Sequence, residues 1–219
     1  MSKILITGAN RGIGLELSRQ LLSRGEEVIA VCRTSSEELR SMNLRVIEGI
    51  DVCTDQSISS LQTQLGDEPL DWLVNNAGIL SVESLDSLDF DAMEQQFRVN
   101  TLGPLRTTNA LLGNLPSGSK VGIITSRMGS IEDNTSGGYY GYRMSKAAVN
   151  MAGMSLARDL KDRGVAVALL HPGMVATDMT GGRGVPAEHS AAGLIQRMDA
   201  LDMATSGGFW HAEGEQLPW

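Results

Sequence analysis

The stretch Lys3-Ile4-Leu5-Ile6-Thr7-Gly8-Ala9-Asn10-Arg11-Gly12-Ile13-Gly14 decides the fold. Its first five residues read as a short buried strand, and the glycines that follow read as a tight turn. Ile13, Leu17, Gln20, Leu21 and Arg24 then recur at the helical period until Gly25 closes the helix. A strand that turns sharply into a helix points several backbone N–H groups, and the positive end of the helix, at one spot. That arrangement holds a pyrophosphate. Gly8 permits the tight turn, Gly12 lets a phosphate approach the backbone, and Gly14 lets the helix pack closely on the strand. Asn10, Arg11 and Ile13 complete the turn. The glycine spacing differs from the commoner G-x-G-x-x-G, and glycines that only shape a turn are the plainer reading.

Outward from this unit the pattern repeats. Short apolar runs at Glu27 to Cys32, Leu44 to Glu48, Leu70 to Val74, Lys120 to Thr125 and Val165 to Leu170 read as strands. Helical stretches at about 13 to 24, 55 to 65, 88 to 113 and 140 to 163 separate them, which predicts an α/β fold with a parallel sheet. The strands are almost wholly apolar, as required when helices cover both faces. Thr180 to Gly184 is too glycine-rich for cheap regular structure. Pro186 and Glu188 start a helix over about 187 to 203, and a last strand lies near Gly208 to Ala212. No linker, repeat or low-complexity segment divides the chain, so one domain over 1–219 is expected, with a short substrate loop at about 178–190.

A net charge of −8 repels polyphosphate backbones, and no Lys/Arg run offsets it, which argues against nucleic-acid and anionic-membrane partners. Cys32 and Cys53 lack disulfide or metal spacing and read as free thiols, with no metal site expected. The apolar run Ile4-Leu5-Ile6 is much too short for a leader or a membrane span, so a cytoplasmic location is expected.

Two further clusters carry chemistry. Tyr142 and Lys146, four residues apart on a helix, have Cβ atoms roughly 5 to 6 Å apart. A phenol holds its proton to about pH 10, and a neighbouring cation lowers that value, so the pair can serve as a proton donor and acceptor. After the second strand, where an acidic residue would bind the ribose 2′-hydroxyl of NAD, the chain has Val31-Cys32-Arg33-Thr34. Arg33, together with Arg11, suits a 2′-phosphate through charge-assisted hydrogen bonds, which favours NADP(H) over NAD(H).

With Thr-Gly-x-x-x-Gly-Ile-Gly at residues 7 to 14, Asn75-Asn76-Ala77-Gly78 after a strand, and Tyr142-x-x-x-Lys146, the chain resembles the short-chain dehydrogenase/reductase family over almost its whole length. Its loop and C-terminal segments look like the small carbonyl-reductase-like branch that includes C-factor and sniffer proteins. The resemblance implies a Rossmann-type, doubly wound parallel sheet of seven strands in the order 3-2-1-4-5-6-7, with helices on both faces. It places Asp51 and Val52 at the adenine ring, and Asn76, Ala77 and Gly78 at the sheet centre beside the cofactor ribose. It implies that Asn100 helps hold, through its backbone, a water that links Lys146 to solvent. In Pro172-Gly173-Met174-Val175-Ala176-Thr177, it gives Thr177 to the nicotinamide carboxamide.

The resemblance also implies a catalytic set of Asn100, Ser126, Tyr142 and Lys146. Ser126 would orient a substrate carbonyl, Tyr142 would protonate it, and NADP(H) would carry the hydride. The Ser126-to-Tyr142 separation is longer than the family's usual one, which leaves Ser130 as a second candidate. His171 reads as a strand-end residue, and Tyr139 and Tyr140 as lining the pocket. Met128, Met144, Met174 and Met179 are open to two readings, core filling or an adaptable apolar pocket. The expected activity is NADP(H)-dependent reduction of a small aldehyde, ketone or quinone. The alternative is a signalling or redox-sensor protein that binds NADP(H) with little turnover. In relatives the helix at 140 to 163 often builds a homodimer or homotetramer interface, and the sequence leaves the oligomeric state open.

Overall fold

The structure, a computed structural model, describes residues 1–219. Seven strands, β1 (Lys3–Thr7), β2 (Glu27–Val31), β3 (Arg45–Ile47), β4 (Trp72–Asn75), β5 (Lys120–Ile124), β6 (Ala166–His171) and β7 (Phe209–His211), form one sheet. Its order is β3-β2-β1-β4-β5-β6-β7, and every pairing is parallel. This is the Rossmann-type order that the resemblance implied.

Seven α-helices flank it: α1 (Gly12–Ser23), α2 (Glu37–Ser41), α3 (Asp55–Leu65), α4 (Phe90–Phe97), α5 (Gly103–Ala110), α6 (Tyr140–Asp159) and α7 (Ala187–Ala200). Successive strand residues point to opposite faces, so β1 and β2 feed two cores. Leu5, Ile29 and Val31 pack with Ile58 and Leu61 of α3 and with Val149 and Leu156 of α6. Ile4, Ile6, Val28 and Ala30 pack with Leu17 and Leu21 of α1 and with Leu194 and Met198 of α7. Both cores are built from apolar side chains, which explains why the strands read as unbroken apolar runs.

Three helices start on side-chain caps that satisfy an orphan backbone donor. Ser36 accepts from Leu39 N, Thr54 from Ser57 N and Asp89 from Ala92 N. Three features depart from the sequence expectation. Helix α2 is additional. The long helix expected over 88 to 113 is broken by a π-helical turn at Arg98–Leu102 and ends in a 3₁₀ turn at Leu112–Asn114. Helix α7 stops at Ala200, because Leu201 is extended and the Asp202 carboxylate accepts from Ala204 N and Thr205 N to form a turn. No helix is long and apolar enough to cross a membrane.

Candidate active site

The strand order reverses between β1 and β4, and a crevice opens at the carboxyl ends of the strands where such reversals occur. A cleft of about 890 Å³ lies there. Its walls include Gly8, Asn10, Arg11, Gly12 and Ile13 from the turn, then Arg33, Asp51, Val52, Asn76, Ala77 and Gly78. Tyr142, Lys146, Pro172 and Thr177 also line it, whereas Gly14, Asn100, Ser126, Gly173 and Val175 of the predicted set do not. Gly8 and Gly12 have φ of +66° and +54°, the left-handed region the turn requires. Gly14 lies beneath the cleft rather than in its wall. A Cβ there would stand 2.3 Å from Gly8 O, so close helix-on-strand packing needs glycine at that position.

The two turns that flank the reversal are stitched together. Thr7 Oγ1 accepts from Asn76 N at 3.1 Å and Ala77 N at 3.2 Å, while Asn76 Nδ2 donates to Thr7 O and Gly8 O at 3.0 Å each. The remaining predicted cofactor residues, Gly173 and Val175, lie outside the cleft wall. Gly173 has φ of +83° beside His211, and Val175 is buried and bridged to Val185, which shapes the segment carrying Thr177. The cradle suits a dinucleotide: backbone donors at one end, and the exposed Arg33, without an ion-pair partner, at the end of β2. Arg11 is not free, since its Nη1 donates to Asp178 Oδ2 at 3.0 Å, although both side chains are largely exposed. Such a pair contributes little stability and yields readily to a stronger anion.

Helix α6 carries Tyr142 and Lys146 on the face turned to β5, and both are buried. Lys146 Nζ donates to Ile124 O at 2.9 Å and stands 5.6 Å from the Tyr142 ring centroid. Ser126, just past β5, accepts from Met128 N at 3.1 Å, and its hydroxyl lies close enough to the Tyr142 phenol to lower its proton affinity. Ser130 is turned elsewhere: its hydroxyl donates to Trp219 O at 3.1 Å and accepts from Asp133 N at 3.0 Å. Of the two serines, the structure therefore brings Ser126 to the phenol. Asn100 sits in the π-helical turn. Its Oδ1 accepts from Ile79 N at 2.9 Å, and its Nδ2 donates to Ile79 O and to Ser145 Oγ, which ties the loop after β4 to α6.

Burial governs the proton affinities. It pushes the Tyr142 phenol up to about 12, against a smaller lowering by the Ser126 hydroxyl, and it pulls the Lys146 ammonium down to about 8. The expected lowering of Tyr142 by Lys146 is absent: burial dominates, and only the Ser126 hydroxyl opposes it. His171 ends β6 as expected. Burial and the adjacent His211 ring, 4.9 Å away, hold it neutral by lowering it to about 3. Cys32 is buried and Cys53 half-buried, and burial raises Cys53 to about 11, so neither is a reactive thiolate.

These shifts set opposite pH windows for stability. Between about pH 8 and 10.5 the unfolded chain keeps a Lys146 proton that the folded protein has released, so stability rises with pH. Between about 10 and 12 the folded protein keeps a Tyr142 proton that the unfolded chain has lost, so stability falls. Denaturant unfolding of wild type and Lys146→Met should show the difference. From pH 8 to 10 the wild type should gain roughly 2 kcal/mol more than the variant. Parallel pH profiles would mean that Lys146 is not desolvated.

Tyr139 and Tyr140 do not line the cleft, contrary to expectation, because both precede the turn of α6 that faces it. Of the four methionines only Met179 lines it, and Met144, Met174 and Met179 are exposed, so these three are not core filler. The sequence reading missed Glu38, Gln95 and Asp178 as cleft residues. For Glu38 a signal existed: Ser36 followed by two glutamates is a helix start. Gln95 and Asp178 carry no comparable signal.

Residues 2–185 match the family described as short chain dehydrogenase. The chain is 46% identical over 228 residues to 1-hydroxy-2-glutathionyl-2-methyl-3-butene dehydrogenase of Rhodococcus sp. (strain AD45), covering 100% of both chains. Among solved structures it is similar to the NADPH-bound carbonyl reductase from chicken fatty liver, with TM-score 0.91 and 30% identity, covering 100% of this chain and 99% of that one. It is also similar to the carbonyl reductase Sniffer of D. melanogaster, with TM-score 0.89 and 30% identity over 100% of both chains.

Proposed function

This chain belongs to the short chain dehydrogenase family, and from that footing we propose that it is an NADP(H)-dependent oxidoreductase that reduces the carbonyl of a small molecule to an alcohol. The observation that carries the reading is the convergence of Ser126, Tyr142 and Lys146 at the end of β5, with Tyr142 and Lys146 on the wall of a cleft entered by a glycine turn. The chicken carbonyl reductase of the same fold binds NADPH, which supports the choice of cofactor. The two unpaired cysteines suit a reducing, cytoplasmic setting.

The turn at Gly8 to Ile13 would hold the pyrophosphate and Arg33 the 2′-phosphate. Asp51 and Val52 would border the adenine, and Thr177 the carboxamide. When bound, NADPH supplies the hydride. Ser126 holds the substrate oxygen through its hydroxyl. Tyr142 gives that oxygen its phenolic proton, and the phenolate left behind faces the Lys146 ammonium. A phenol pushed up to about 12 keeps its proton at neutral pH, which suits a donor, and the nearby ammonium favours the phenolate once it forms.

The Rhodococcus relative is named as a dehydrogenase of a hydroxylated glutathionyl compound. That observation favours a second reading, the same site run toward oxidation of an alcohol. Initial rates separate the two. NADPH oxidation by a carbonyl should exceed NADP⁺ reduction by the matching alcohol at neutral pH, and the reverse order would favour the second reading.

A further inference from the structure

Helix α6, which carries the phenol, starts without a cap of its own. Its N-cap, Tyr139, provides no side-chain hydrogen bond and is the only non-glycine residue with positive φ, at φ 52° and ψ 41°. An aromatic residue in that region persists only where the surroundings hold it.

What holds it is Glu83, in the loop after β4. Glu83 is 3% exposed, the more deeply buried of the two buried carboxylates, and no Lys or Arg pairs with it. Its backbone oxygen accepts from Tyr139 N at 2.9 Å, and its Oε2 accepts from Gly141 N at 3.3 Å. Its Oε1 accepts from Gln96 Nε2 at 2.8 Å and from Ser81 Oγ. Gln96 is itself fully buried, and its Oε1 accepts from Ser81 N at 3.1 Å. The helix start is pressed onto α4 at this point, since a Cβ on Gly141 would stand 2.4 Å from Gln96 Nε2 and 2.8 Å from Met93 Cγ. A buried, unpaired carboxylate is costly unless its oxygens are filled by donors. Here Gly141 N, Gln96 Nε2 and Ser81 Oγ fill them, and Gly141 directly precedes Tyr142.

We infer that Glu83 is a positioning residue for Tyr142: it supplies from a distant loop the N-terminal cap that α6 lacks, and so fixes where the phenol points. One turn further on, Asn100 holds Ser145 and Ile124 O holds Lys146. Tyr142 lies between these anchors and the Glu83 contact. The inference rests on the proton-donor role of Tyr142 proposed for this site. Misplacing a reacting group by about 1 Å costs on the order of 10²-fold in rate.

Glu83→Gln is the selective change. Its remaining oxygen still accepts from Ser81 and Gln96, while its amide sets a donor against Gly141 N–H. The experiment counts competent sites by NADPH fluorescence titration, then measures turnover per site and the primary isotope effect with 4-deuterated NADPH. Expected are NADPH affinity within about twofold of wild type, per-site kcat lower by about 10- to 100-fold, and a larger isotope effect because hydride transfer becomes rate-limiting. Wild-type per-site kcat and isotope effect, with only a lowered melting temperature, would overturn the inference by making Glu83 merely structural. Should Glu83→Gln fail to fold, Gln96→Leu removes one donor to Oε1 and should move kcat and isotope effect in the same direction by a smaller factor. No change in either would overturn the inference. Tyr142→Phe keeps the failures apart. If it retains turnover, the proton-donor role and the positioning role fall together. If it is inactive while Glu83→Gln behaves as wild type, only the positioning role falls.

Discussion

Tyr142→Phe should fold, bind NADPH as the wild type does, and lose about 10²- to 10⁴-fold in turnover, the contribution typical of one positioned proton donor. The ring packs in a buried site with its hydroxyl beside Ser126, so the substitution removes one polar contact and little volume. Losing such a contact costs about 1 kcal/mol at most, while the hydroxyl of Ser126 keeps its bond from Met128 N. The separation of a near-native melting temperature from a collapsed kcat is the signature to look for. Near-wild-type turnover on an accepted carbonyl would remove Tyr142 from the chemistry.

The second large effect is on cofactor choice. Arg33→Asp should raise the KM for NADPH by about 10- to 100-fold and leave that for NADH unchanged or lower, since hydrogen bonds to a charged group are worth roughly 1.5 to 3 kcal/mol. Arg33 is exposed at the end of β2, where NAD proteins place an acid, so the fold should tolerate the change. Equal effects on the two cofactors would remove the assignment of Arg33.

The sheet was legible in the sequence because its inner strands are buried on both faces and read as apolar runs. Expected strand limits and observed ones differ by two residues or fewer, as at Leu70, which bonds Asn114 O before the β4 ladder begins at Trp72. Features that depend on contacts between distant residues were not legible. The π-helical turn at Arg98–Leu102 interrupts no hydrophobic pattern. Spacing alone left Ser126 and Ser130 in competition, and a contact with Trp219, far along the chain, separates them. A lysine four residues from a tyrosine suggested a lowered phenol, yet the burial of both groups reverses that sign. Nothing in the pattern around Glu83 marks it, because its contacts are with donors that two distant segments, α4 and the start of α6, bring to it.

The central claim, carbonyl reduction at the expense of NADPH, is tested most directly by following NADPH consumption with a panel of aldehydes, ketones and quinones. With 4-deuterated NADPH the predicted result is oxidation proportional to enzyme concentration, with deuterium appearing on the former carbonyl carbon of an aldehyde or ketone. Tight NADPH binding with no turnover across the panel would contradict it, and would point instead to a protein that senses the cofactor.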